Sequence, residues 1–140
     1  MTVTAIARST GHPGYTETLP RKAESARTAR VLVNTALAAW GLHAIAGDST
    51  LVVTELVANA VQHTTCHTIR VTVTRLESDL VRIDVVDKCR AKPVRRAARD
   101  DAAEGRGLAL VEALTVRWGT DPKGGWGKSV WAELKAGDTC

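Results

Sequence analysis

The chain has 140 residues, 44% hydrophobic and 24% charged, which predicts one globular domain with its own core and excludes multi-domain machines and general disorder. Aromatics make up 4% with no Phe, so the core must be aliphatic, with Trp40, Trp118, Trp126 and Trp131 as bulky fillers. The formal net charge is +4, yet Lys88, Arg90, Lys92, Arg95, Arg96 and Arg99 form one run without an acid; the basicity is local and argues against a direct nucleic-acid surface.

Residues 1–19 are rich in Thr, Gly and Pro and read as a flexible tail or an edge strand. Pro20 is a favoured helix start. Ala23, Ala26, Arg30, Val33 and Leu37 then recur at helical spacing and predict a helix over 21–39, with Gly41 as its stop. Asp48 is placed to cap a second helix over 49–63. Ile69, Val71 and Val73 alternate with polar residues, as do Val81, Ile83 and Val85; these predict strands 68–75 and 80–86, joined as a hairpin. The basic run follows as a long loop. Gly105-Arg106-Gly107 opens a third helix, and 115–118 and 128–134 are two more strands. The order implies an α+β fold: a two-layer α/β sandwich, with a mainly antiparallel sheet and about three helices on one face.

Cys66, Cys89 and Cys140 are odd in number and widely spaced, which argues against a disulfide framework or a zinc site. Residues 1–20 hold no secretory apolar core, and no run of about 20 apolar residues predicts a membrane span. A reduced, cytoplasmic protein is expected. His63 and His67 have ligand spacing only on a continuous helix, and Thr64-Thr65 between them signals a helix end.

Three stretches carry chemistry. In the second helix, Glu55 and Asn59 lie roughly 40° apart around the axis, away from the apolar face of Val53, Leu56, Val57 and Ala60. A helix this apolar is covered on more than one side, so a carboxylate and an amide there want a ligand, a metal or a paired donor. Asp87 ends an apolar strand, as a turn residue or as an acceptor for a purine amine. Gly105-Arg106-Gly107-Leu108 precedes an apolar helix; two glycines there allow close approach of backbone to an anion, or simply make a turn. Neither the dinucleotide fingerprint nor a P-loop is present.

Taken together, Glu55-x-x-x-Asn59, Asp87 after a strand, and Gly105-Arg106-Gly107-Leu108 resemble the GHKL (Bergerat-fold) ATPases. Among them, the chain looks most like the stand-alone ATP-binding proteins related to bacterial anti-sigma-factor serine/threonine kinases. The resemblance covers about residues 20–134. It implies ATP and Mg2+ as cofactors within a domain at 20–136. Asn59 would hold the metal, and Glu55 would act as general base. Asp87 would bind the adenine amine, with Ser129 supporting that contact through water. Gly105, Arg106, Gly107 and Leu108 would wrap the phosphates, beneath a lid at 88–104. Cys89 stands where the family usually has glycine, while Pro93 is kept. The six cations are then open to two readings, a solvated loop or a surface facing polyphosphate or an acidic partner.

The function implied is an ATP/Mg-binding regulatory protein: a serine/threonine protein kinase acting as an anti-sigma factor. Its partners would be a sigma factor or a small anti-anti-sigma protein, with a homodimer open and no membrane or nucleic acid. The alternative, motivated by Cys89, is a catalytically inactive nucleotide-gated protein-binding module.

Overall fold

Small apolar residues at every third or fourth position define the first helix. In α1 (Ser25–Ala39), Ala29, Leu32, Val33, Ala36 and Leu37 are buried. It starts later than expected because residues 21–24 form tight turns: the Lys22 and Ser25 amides donate to the carbonyls of Pro20 and Lys22, and the Ser25 hydroxyl donates back to Pro20. Its end follows from Gly41, which takes φ 71°. The Gly41 amide donates to Ala38 and the Leu42 amide to Leu37, the paired closure that a left-handed glycine permits. The computed structural model describes residues 4–7, 11–64, 66–87, 101–122 and 127–137, without the side chains of 4–7 and 101–106.

A short 3-10 turn, His43–Ile45, leads into α2 (Ala46–His63). Asp48 therefore sits inside the first turn rather than before it, where its charge still meets the positive end of the helix dipole. The hairpin expected from alternation is present as β3 (Thr68–Glu77) and β4 (Leu80–Asp87).

The N-terminal segment, read as a tail or an edge strand, forms two strands. These are β1 (Thr4–Ala7) and β2 (Pro13–Pro20); β2 lies inside the sheet, paired with both β1 and β3. The third helix, α3, spans Asp101–Leu114. After it, β5 runs over Arg117–Pro122 and β6 over Lys128–Lys135. β5 starts two residues later than expected because the Thr115 hydroxyl donates to the Val111 carbonyl and keeps Thr115 on the helix end. The six strands are all antiparallel, in the order β1-β2-β3-β4-β6-β5.

The helices cover one face of this sheet. α1 lies on β2 and β3, while α2 lies on β4 and β6 between α1 and α3. Val52, Val53, Leu56 and Val57 of α2 are fully buried against Val71, Val73, Val81, Ile83 and Ala132 of the same core. Residues 43–63 are long and apolar enough, by length and composition alone, to cross a membrane; here they form the central helix of the core.

The opposite face carries a polar network. The Arg82 guanidinium lies 4.3 Å over the Trp131 ring and bridges Asp84, Asp121 and Glu133. Arg117 also holds Glu133, at 2.6 Å. The Trp131 ring fits because Gly119 opposite lacks a Cβ, which would sit 2.9 Å from it.

The packing of α2 sets an expectation for stability. Leu56→Ala should cost about 2–5 kcal/mol, and Val31→Ala on the exposed side of α1 less than about 0.5 kcal/mol. Urea unfolding midpoints of the two variants check this; equal midpoints would contradict the central place given to α2.

Candidate functional site

The polar stripe of α2 is where its apolar face runs out. Glu55 and Asn59 are half-buried beside the fully buried Leu56 and Val57. That side of α2 meets α3. A Cβ on Gly107 would lie 2.7 Å from Glu55 Oε2, so the glycine is what lets the carboxylate rest on the α3 backbone.

Gly105-Arg106-Gly107 does not open the helix, as expected from sequence, but lies inside it, since α3 begins at Asp101. Residues 101–104 of the expected lid thus belong to α3. Residues 88–100, with Cys89, Pro93 and the basic run, lie outside the described residues. The shift has a chemical consequence. Helical N–H groups beyond the first four residues are already engaged, so the amides of 105–108 reach an anion only if the first turns of α3 open. Two glycines make that opening easier, each lowering helix stability by about 1 kcal/mol relative to Ala. Leu108 is half-buried, while the Arg106 side chain is outside the described residues.

Asp87 is the last residue of β4, on the same face as Val81, Ile83 and Val85 and 8% exposed. Arg70 pairs with Val86, so Asp87 sits at the end of the sheet where β3 begins, a few residues after Asn59 and the close of α2. Gly127 makes its position possible: a Cβ there would collide with the Asp87 carbonyl oxygen and lie 3.2 Å from Oδ1. Among the described residues, no hydrogen bond or ion pair engages the carboxylates of Asp87 or Glu55. A carboxylate this buried without a donor is costly unless a ligand supplies one.

The structure therefore brings Glu55, Asn59 and Gly107 to one seam and Asp87 to the adjoining end of the sheet. Ser129 lies elsewhere. It pairs with Val86, on the face away from the helices, and its hydroxyl donates to Asp84 Oδ1 at 3.0 Å. The residue that shares the Asp87 face is Lys128, its direct partner in register; sequence reasoning passed over both it and the role of Gly127. Among the described residues, no cluster of three or more His, Cys, Asp or Glu could hold a metal ion.

The family model of the histidine kinase-like ATPase domain matches residues 19–132. No curated protein matches the chain significantly. Among solved structures, the RsbU and RsbW domains of Rv1364c from Mycobacterium tuberculosis match with a TM-score of 0.63 and 24% identity. That match covers 88% of this chain and 32% of the other; the likeness is one of fold.

The two glycine contacts differ in kind, and their substitutions should differ in effect. Gly127→Ala drives a methyl into backbone and should cost about 1–3 kcal/mol. Gly107→Ala meets only the end of a flexible side chain, so stability should hold or rise by up to about 1 kcal/mol while Glu55 is displaced. Thermal unfolding of both variants checks the order; a larger loss for Gly107→Ala would contradict it.

Proposed function

We propose a function from one premise: this chain belongs to the histidine kinase-like ATPase domain family. It binds ATP with Mg2+ and acts as a regulatory serine/threonine protein kinase of the anti-sigma type. The observation that carries the nucleotide reading is the Asp87 carboxylate, 8% exposed and without a donor among the described residues. The exocyclic amine of adenine is a donor of the right kind for it. The donor chemistry also suits a metal–phosphate group: the Asn59 amide oxygen would hold Mg2+, one turn from the Glu55 carboxylate. When bound, the metal would neutralise charge on the phosphates.

Phosphoryl transfer asks the protein mainly for positioning and electrostatics. Glu55 accepts the proton of a serine or threonine hydroxyl on a partner protein. That oxygen bonds to the γ-phosphorus as the bond to the ADP leaving oxygen breaks. Opening of the first turns of α3 would turn the amides of Gly105, Arg106, Gly107 and Leu108 toward the phosphates, with Arg106 as an added cation. The partner acted on would be a small anti-anti-sigma protein, and the one sequestered a sigma factor. Cys89 at the usual glycine favours a second reading, a nucleotide-gated binding module without transfer.

Calorimetry and a phosphate-transfer assay separate these. Asp87→Asn should weaken ATP binding about tenfold or more. Glu55→Ala should keep ATP affinity within about threefold and abolish transfer to the partner. Equal transfer by Glu55→Ala would remove the base assignment. Tight ATP binding with no transfer by the wild type would favour the second reading.

A further inference from the structure

We propose that Lys128 reads the N1 position of adenine beside Asp87, so that the two residues together select adenine over guanine. The inference rests on the reading of Asp87 as base acceptor and adds a residue that reading did not contain. It begins from register. Asp87 and Lys128 are direct partners across β4 and β6, so their side chains leave the same face of the sheet, with Cβ atoms about 4.5–5.5 Å apart. The Asp87 carboxylate lies close to Gly127, its Oδ1 3.2 Å from where a Gly127 Cβ would be. Gly127 is the residue just before Lys128. Lys128 is itself half-buried. Among the described residues, no hydrogen bond or ion pair engages its ammonium or the Asp87 carboxylate. One acceptor and one donor thus share a register position at the rim of the helix-covered face, neither with a partner among the described residues.

Adenine presents the complementary pair on one edge, the 6-amine as donor and the adjacent N1 as acceptor. Asp87 accepts from the amine, and Lys128 donates to N1. Guanine reverses both positions, with an acceptor oxygen at C6 and a proton on N1. In the same pose it would set oxygen against the Asp87 carboxylate and N–H against the ammonium. Mismatches that leave charged groups unpaired discriminate strongly.

The test is calorimetric titration of the full chain with Mg2+ and four nucleotides: ATP, GTP, 1-deaza-ATP, which lacks N1, and purine riboside triphosphate, which lacks the 6-amine. The wild type should bind 1-deaza-ATP about tenfold more weakly than ATP, and Lys128→Met should shrink that ratio to about twofold or less. GTP should bind the wild type more weakly than 1-deaza-ATP. Equal wild-type affinity for ATP and 1-deaza-ATP overturns the proposal without need of any variant. So does a Lys128→Met protein that loses affinity for both equally, since the ammonium would then act on the phosphates. Purine riboside triphosphate reports on the underlying reading separately: if it binds the wild type as tightly as ATP, Asp87 does not take the amine, and the base reading itself falls.

Discussion

Helix α2 has little choice of neighbours. The sheet lies beneath it, α1 on one flank and α3 on the other, and Val52, Val53, Leu56 and Val57 are fully buried among them. An apolar helix so enclosed has one narrow strip left for polar side chains. Glu55 and Asn59 occupy that strip, and the seam with α3 is where it surfaces. The position of the candidate site is thus a by-product of core packing. Each carboxylate there lies close to a glycine, Glu55 to Gly107 and Asp87 to Gly127, but only at Gly127 does backbone exclude a side chain.

The face of the sheet away from the helices serves the same site from behind. Arg82, Asp84, Ser129 and Glu133 link β4 to β6, and Arg117 extends the link to β5. Buried ion pairs add little net stability, but they penalise any other arrangement. A slip of one residue between β4 and β6 would separate these partners and also turn Lys128 away from Asp87. The network therefore guards the register on which the far face depends.

Much of this was readable from periodicity. The hairpin β3–β4 and the apolar face of α2 follow from local patterns, and the glycine stop at Gly41 from local backbone chemistry. β2 was harder. Its helix-facing positions are Tyr15, Glu17 and Leu19, so a glutamate interrupts the alternation, and its partner β3 lies some fifty residues away along the chain. The start of α3 was hidden for a related reason. Asp101–Glu104 carries no apolar repeat, and the two glycines look like a helix entry although they lie within the helix. Glu55, Asn59 and Asp87 were legible as types at a spacing. Whether Lys128 or Ser129 faces Asp87 was not, because the parity of β6 is set by its pairing with β4, a distant strand.

The place of β2 in the sheet bears on where this domain can be cut. Family likeness begins at Leu19, near the end of β2. Yet β2 pairs with β3 in register from Gly14 to Pro20, and β3 carries the buried Ile69, Val71 and Val73. Trimming the chain to the family boundary would leave β3 as a long bare edge of amides and carbonyls beside an apolar face, a template for pairing with other chains. The unit of folding is larger than the unit of kinship.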